Sequence, residues 1–227
     1  MSLYGYLIIG AFIGPLLLSF DKKVAFYKNI KFFILGLLFT ATFFLVWDEV
    51  FTINKIWGFN PRYLWGIYLG HLPLEEVLFF FIVPYNCVFI HQVLKAYFPD
   101  VKLKNWGARF FIIIGISSLI LTIYYFKNWY TFTTCLIAFF CCVYALVVRP
   151  AWLGNFTFTY LVCLLPFFIV NGALTGAFTT DPIVWYSEKH IIGWRMTTIP
   201  FEDLYYNFSM LFPIIAFFEN RKSKSLS

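Results

Sequence analysis

Charged residues are scarce in this chain of 227 residues: Asp, Glu, Lys and Arg make up 12% of it, while 61% of the residues are hydrophobic. The mean hydropathy is +0.78, a balance that a water-soluble domain of this length does not normally show. The composition therefore predicts an all-α integral membrane protein. The net charge of +6 requires no nucleic-acid partner, because cytoplasmic loops that face anionic lipid account for it.

Motifs for the common cofactors are also missing. The chain has no Gly-x-Gly-x-x-Gly after a strand, no P-loop and no Cys-x-x-Cys, so flavin, nicotinamide, nucleotide and zinc lack sequence support and no cofactor is expected. His71 stands four residues before Glu75, but Pro73 lies between them and no further ligands cluster nearby. We therefore predict no metal site. The last apolar run contains no Lys, which argues against a retinal Schiff base.

Long apolar runs supply the fold. Because lipid offers no hydrogen-bond partners to free backbone groups, runs of membrane-spanning length must be helical. Lys and Arg concentrate between spans one and two, between spans three and four, and in the tail, so the positive-inside rule places the N-terminus outside and the C-terminus in the cytoplasm, with a bacterial cytoplasmic membrane as the expected location. The seven predicted spans are Leu3–Phe20, Ile30–Trp47, Leu74–Val93, Phe110–Phe126, Trp129–Val148, Thr157–Leu174 and Phe201–Phe218.

One motif occurs twice, at Gly66–Glu76 and at Gly193–Asp203: a Gly precedes a Pro by seven residues, and Pro-x-acid-acid follows. Each copy leads into an apolar run, so spans two and three pair with spans six and seven, and span one pairs with span five. An offset of four helices preserves direction. The sequence therefore predicts a single membrane domain, residues 1–227, in which two parallel three-helix repeats at about 3–98 and 129–222 are joined by a linking helix at about 109–126.

Two adjacent carboxyl pairs, Glu75 with Glu76 and Glu202 with Asp203, begin spans three and seven. A structural interpretation is available, since Pro and acids are typical of helix starts. Two matching copies at the lipid boundary, where carboxylates are costly, favour a chemical role instead. Neighbouring residues on a helix point about 100° apart, so only one acid of each pair can aim fully at a central cavity. We expect Glu75 and Glu202 to face inward.

Other polar residues gather on the same predicted outer side. Asn86 and Ser209 lie near the helix face of the first acid of each pair. Asp48 ends span two and Asn171 ends span six, so the two copies offer a polar residue in comparable places. Arg195 precedes the second acid pair by a few residues and is its expected counter-ion.

Four segments together resemble a known family, the small membrane lycopene cyclases. They are Leu72–Phe80, Val170–Gly176, Trp185–Tyr186 and Ile199–Tyr206. The family is the non-flavin type that occurs as two short subunits or as a fused domain, and this chain is similar to the fused form over nearly its whole length. The resemblance implies an enzyme, an intramolecular lyase or isomerase, that turns the ψ-ends of lycopene into the β-ionone rings of β-carotene by way of γ-carotene. It also implies lycopene or a related carotenoid as substrate, membrane lipid as the surroundings, and other carotenoid-pathway enzymes as candidate partners.

The residues agree with that chemistry. Cyclisation requires a proton for the terminal double bond, shelter for the carbocation while the ring closes, and a base that removes a ring proton, with no net redox change. A carboxylic acid and a carboxylate suffice, so the four paired acids are the candidate catalytic residues. Aromatic faces stabilise cations. The predicted substrate-binding and cation-stabilising residues are Asp48, Asn171, Arg195, Phe79, Phe80, Tyr205, Tyr206 and Trp194.

Two alternatives stay open. A carotenoid cyclase that forms another ring type, or that cyclises one end only, would use the same residue types, because these reactions differ in which proton leaves. A proton-coupled membrane transporter would also use intramembrane carboxylates, although inverted repeats and helices broken by Gly or Pro would then be typical. The parallel repeat and the boundary position of the acids argue against the transporter.

Overall fold

The computed structural model describes residues 2–99 and 104–224, which form seven α-helices, as the sequence predicts. The helices are α1 (Leu3–Leu18), α2 (Ile30–Ile53), α3 (Leu74–Tyr97), α4 (Lys104–Tyr124), α5 (Trp129–Val148), α6 (Leu153–Leu174) and α7 (Glu202–Lys224). Six short strands lie in the connections: β1 (Trp57–Phe59), β2 (Tyr68–Leu69), β3 (Leu72–Pro73), β4 (Val184–Tyr186), β5 (Arg195–Met196) and β6 (Ile199–Pro200).

The helices differ in how they meet the surroundings. Helices α2 to α6 are long and apolar enough to cross a membrane, whereas α1 is apolar but shorter, with 16 residues. Helix α7 carries charged residues near both ends, yet most of its side chains are buried. Because neighbouring helices cover most of its surface, α7 is the central helix of this integral membrane protein.

A small antiparallel sheet joins the two halves at the end of the bundle where α3 and α7 begin. In this sheet β1 pairs with β4, and Gly58 lies opposite Trp185. These two residues are 127 positions apart, which is also the spacing of Glu75 and Glu202. The pairing is thus centred on equivalent residues, as a two-fold axis between parallel copies requires. The repeat boundaries given above stay a prediction.

Each motif copy enters its helix by the same path. Gly66 and Gly193 have φ of 79° and 87°, a conformation that glycine adopts without steric cost. The chain then forms the hairpin β2–β3 in the first copy and β5–β6 in the second. The backbone N–H of Leu74 donates to the carbonyl seven residues earlier at 2.9 Å, and Phe201 does the same at 2.9 Å. The glycines of the motif are therefore required by these turns.

The other ends of α3 and α7 are tied to each other by equivalent residues. The Lys95 ammonium donates to Glu219 Oε1 at 2.6 Å, and the Lys222 ammonium donates to Gln92 Oε1 at 2.7 Å. The two lysines are 127 positions apart, and so are their acceptors Gln92 and Glu219. The two bonds are therefore related by the same two-fold axis. His91 Nε2 also lies 2.7 Å from Glu219 Oε1. The central helices are thus held together at both ends.

The close contact between α4 and α6 can be tested with one glycine. A Cβ at Gly107 would lie 3.0 Å from the backbone nitrogen of Gly154, whereas nothing lies within 4 Å of a Cβ at Gly10 in α1. We expect Gly107→Leu to destabilise the protein by about 1–3 kcal/mol, because overpacking forces the helices apart. Thermal unfolding in detergent, followed by size-exclusion chromatography, should show a lower midpoint for Gly107→Leu than for the control Gly10→Leu. Equal midpoints would contradict the close approach.

Candidate active site

A cavity of about 300 Å³ lies between the helices beneath the β1–β4 sheet. Three carboxyl groups line it: Asp48 from α2, Glu76 from α3 and Asp203 from α7. Each motif copy therefore contributes its second acid to one shared site. Most of the remaining lining is aliphatic or aromatic, so the carboxyls stand at one end of an apolar space.

This arrangement corrects the expectation that Glu75 and Glu202 face inward. Both residues are 0% exposed, but neither lines the cavity. Glu75 Oε1 accepts hydrogen bonds from the Ser2 hydroxyl at 2.6 Å and from the backbone N–H of Trp65 at 2.5 Å. The first acid of the first copy therefore binds the start of α1 and the loop that enters α3.

The second copy repeats the contact. Glu202 Oε1 accepts from the Thr131 hydroxyl at 2.6 Å and from the backbone N–H of Ile192 at 2.6 Å. Trp65 and Ile192 are equivalent residues, since each N–H lies ten positions before its acid. A buried backbone N–H needs an acceptor, and the first acid of each pair is the side chain placed to supply one. The angle of about 100° between neighbouring helical residues does not show which acid of each pair accepts the hydrogen bond from the loop.

Asp203 has the largest set of hydrogen-bond donors among the cavity carboxyls. Its Oδ1 accepts from the Tyr130 hydroxyl at 2.6 Å. Its Oδ2 accepts from Asn171 Nδ2 at 2.8 Å and from the Tyr186 hydroxyl at 3.1 Å. A carboxyl whose two oxygens both accept hydrogen bonds has little room for a proton of its own. The contacts of Asp203 thus suit a carboxylate.

Glu76 and Asp48 accept fewer hydrogen bonds than Asp203 does. Glu76 Oε2 accepts from the Tyr4 hydroxyl, and Asp48 Oδ1 accepts from the Trp57 indole N–H. Among the residues that the structure describes, no donor reaches the buried Asp48 Oδ2. Glu76 is close enough to Asp48 and Asp203 for their charges to interact. Because Glu76 and Asp48 each accept fewer hydrogen bonds than Asp203 does, a proton on either of them displaces fewer donors.

Four aromatic rings enclose the carboxyl end of the cavity. The ring of Tyr130 lies 5.0 Å from that of Trp57, 5.7 Å from that of Tyr186 and 6.0 Å from that of Tyr206, measured between centroids. Removal from water raises the pKa of the Tyr186 hydroxyl well above its usual value, and the Asp203 carboxylate raises this pKa further. Tyr186 therefore stays protonated, and its hydroxyl donates a hydrogen bond to Asp203. The rings also present faces that can stabilise a cation.

The structure brings some of the predicted binding residues together and leaves others apart. Asp48, Asn171, Phe79 and Tyr206 line the cavity, as does Asn86, whose amide donates to the carbonyl of Ala11 in α1. Three of the predicted binding residues do not line the cavity: Phe80 is buried in the core, Tyr205 donates to the Ser117 hydroxyl, and Trp194 is 73% exposed. Ser209, expected near the helix face of the first acid, is buried outside the lining.

Arg195 forms its direct ion pair with Glu188 rather than with the second acid pair. Its Nη2 lies 2.6 Å from Glu188 Oε1, and its Nη1 donates to the Thr198 carbonyl at 2.9 Å. Because Glu188 is in the same connecting segment and exposed to solvent, it satisfies the guanidinium at less cost than a buried acid would. The cavity carboxyls accept their hydrogen bonds from neutral donors instead.

The sequence interpretation missed the tyrosines that hold the second acids. Tyr4 and Tyr130 bind Glu76 and Asp203, and each lies within the first turn of the first helix of its half. A Tyr at the start of spans one and five was the available signal, but single aromatic residues at span ends are common.

Within residues 2–99 and 104–224, no group of three His, Cys, Asp or Glu side chains could hold a metal ion.

Comparison with known proteins places both halves in one family. A family model described as lycopene cyclase matches residues 2–94 and again 127–220. The relatives include bifunctional lycopene cyclase/phytoene synthases from Aspergillus oryzae, 32% identical over 34% of this chain, and from Leptosphaeria maculans, 36% identical over 39% of it. The matches span only 13% and 14% of those two proteins. No solved structure matches the chain.

The role of the first acids as loop acceptors can be tested by stability. We expect Glu202→Ala to lower the thermal midpoint in detergent. The buried Thr131 hydroxyl would lose its acceptor, at about 1–3 kcal/mol, and the partly buried Ile192 N–H would lose its acceptor as well. Glu202→Gln keeps an acceptor oxygen and should lose less. If the Ala and Gln variants melt together with the wild type, Glu202 does not hold the loop.

Proposed function

We propose that this chain, which belongs to the lycopene cyclase family, converts the ψ-ends of lycopene into β-ionone rings by proton transfer at the cavity carboxyls. The observation that carries the proposal is the convergence of Asp48, Glu76 and Asp203 at one end of an apolar, aromatic-walled cavity. The reaction needs an acid, a base and a surface that tolerates a carbocation. All three are contributed by this one site.

The reaction balances without any other reactant. A protonated carboxyl transfers its proton to the terminal double bond, which leaves a carbocation on the neighbouring carbon. The next double bond attacks that carbon, a ring bond forms, and the positive charge moves into the ring. A carboxylate then removes a ring proton, so the number of atoms and electrons in the substrate is unchanged. Return of that proton to the first carboxyl restores the site.

The donor contacts support an assignment of roles. Asp203, which accepts three hydrogen bonds, is the proposed base. Glu76, which accepts one hydrogen bond from Tyr4, is the proposed acid, and Asp48 beside it is the group that shares and restores its proton. The rings of Trp57 and Tyr206, whose centroids are 6.0 Å apart, are the proposed support for the cation.

The finer features of the activity belong to the same proposal. Formation of β rather than ε rings, reaction at both ends of lycopene, and contact with other carotenoid-pathway enzymes are proposed on the family resemblance. So is the orientation with the N-terminus outside. The named relatives are fungal, so a bacterial cytoplasmic membrane stays a prediction about the source. Of the two activities in the relatives' name, only the cyclase is proposed for this chain.

The function is tested by expression in a lycopene-accumulating bacterium followed by pigment chromatography. The wild type should produce β-carotene. Glu76→Gln and Asp203→Asn should each lower cyclisation by at least about a hundredfold, the usual scale for losing a general acid or base. Protein levels should stay close to wild type. Glu76→Gln keeps an acceptor for the Tyr4 hydroxyl. In Asp203→Asn the amide oxygen can still accept from Asn171 and Tyr186, and the amide NH2 can donate to the Tyr130 oxygen.

Glu75→Gln is the matched control, since it changes the neighbouring acid of the same helical turn in the same way. It should retain more activity than Glu76→Gln, because Glu75 contacts the loop and not the cavity. Unchanged lycopene in wild-type membranes that contain the protein would overturn the function. Full activity in Glu76→Gln together with loss in Glu75→Gln would overturn the assignment of the site.

A further inference from the structure

The cavity continues away from the carboxyls as a groove between α1, α3 and α6. On α3 the lining residues run from Glu76 to Ile90, a distance of about 21 Å at 1.5 Å per residue. On α6 they run from Cys163 to Leu174. The cavity volume of about 300 Å³ is roughly twice that of an apolar cavity known to hold benzene. The space therefore suits a ring-sized group together with part of a chain.

The groove opens toward the membrane. Pro166 and Ile169 of α6 both line the cavity and are exposed on the surface of the bundle, and Ile169 is 67% exposed. Both lie inside a helix long and apolar enough to cross a membrane. Ala11 of α1 lines the same space and is half-buried. The opening between α1 and α6 therefore meets hydrocarbon.

The carboxyl end is covered. Trp57 and Phe59 from β1, and Val184 and Tyr186 from β4, line the cavity next to the acids. These strands pair with each other across the two halves. A carbocation formed beneath this sheet is thus covered by β1 and β4 on that side, while the groove leaves a path from the lipid.

The equivalent groove in the other half is closed. Cys163 and Ile90 line the open groove, and the residues 127 positions away from them are Gly36 and Phe217. A Cβ at Gly36 would lie 2.7 Å from Phe217 Cβ, so α2 and α7 are in direct contact at the positions equivalent to Cys163 and Ile90, which line the cavity. The two-fold symmetry is therefore broken within residues 2–99 and 104–224: the carboxyl cluster opens into a groove in one half, and the equivalent positions of the other half are packed together.

We propose that the groove between α1, α3 and α6 is the lateral entrance and binding site for the polyene arm of the carotenoid. This proposal rests on the proposed cyclase function, and it states how the two ends of one substrate molecule reach the carboxyls. One end group reaches the carboxyls while the rest of the chain lies along the groove toward the lipid. The second end cannot reach an acid in the same binding event, so two-ended cyclisation requires release and re-entry of the monocyclic product.

Binding to the groove is tested in the purified Asp203→Asn protein, in which conversion is expected to be slowed by at least about a hundredfold, so that bound lycopene can be measured. Lycopene kept by the protein after detergent purification is measured by absorbance. Ala11→Trp and Ile169→Trp, added to this background, should each lower the retained lycopene by about tenfold, because an indole in the groove overpacks the site.

Two matched variants control for the added indole. Ile13→Trp places it two residues away on α1, at a side chain that is 50% exposed and outside the cavity. Thr42→Trp places it on α2 at the two-fold equivalent of Ile169, also exposed and outside the cavity. Both controls should retain as much lycopene as the parent. Equal retention in the groove variants and the controls would overturn the groove as the binding site.

Activity measurements distinguish failure of the groove proposal from failure of the proposed cyclase function. If the wild type forms no rings from lycopene, the cyclase function fails. If the wild type forms rings and the groove variants in the wild-type background do so equally fast, the function stands and the groove proposal fails. The expected result is slow cyclisation by Ala11→Trp and Ile169→Trp with normal cyclisation by their two controls.

Release between the two ring closures is tested by a chase. Isotope-labelled lycopene is supplied to the wild type, and an excess of unlabelled lycopene is added once monocyclic product is present. If the product leaves after each ring closure, the excess competes for the groove, so labelled monocyclic carotenoid should persist and labelled bicyclic carotenoid should fall by about the dilution factor. An unchanged yield of labelled bicyclic product would show that both ends react in one binding event and overturn the proposed release.

Discussion

The need of buried carboxyl groups for hydrogen-bond donors is the constraint on which the rest of this structure depends. Glu75 and Glu202 are fully buried in an apolar bundle, where an unpartnered polar group costs several kcal/mol. Each takes a hydroxyl and a loop N–H. These bonds bring the loops over the starts of α3 and α7 and so close one end of the cavity. The paired acids therefore divide their tasks: the first organises the cover, and the second faces the space beneath it.

Near-symmetry and its loss are equally important. The β1–β4 sheet is centred on the equivalent residues Gly58 and Trp185, and both central helices enter through the same hairpin geometry. This symmetry brings Glu76 and Asp203 to a common site. Contact between Gly36 and the Phe217 side chain closes one of the two equivalent grooves. Duplication thus brings one acid from each motif copy to the same cavity.

The surroundings of the carboxyls suit proton transfer to a hydrocarbon. Neutral donors, tyrosine hydroxyls together with an amide and an indole N–H, hold the acids, and the nearest predicted cation, Arg195, is engaged by Glu188. Rings of Trp57 and Tyr130 stand 5.0 Å apart at the same end. Neutral donors leave the acids able to exchange a proton, while the aromatic faces can stabilise the positive charge that the exchange creates.

The sequence by itself determined the membrane setting, the seven helices, the family and the identity of the acid pairs, because hydropathy, span length and a duplicated motif are local properties of the chain. It also pointed to Asp48 and Asn171, whose polar side chains end two apolar runs. Only the tertiary structure decided which acid of each pair faces the cavity. That choice depends on donors from α1, α5 and the entering loops, which lie ten to seventy-three positions away in the chain. The tyrosines that hold the second acids, and the open groove between α1, α3 and α6, likewise follow from how the helices pack.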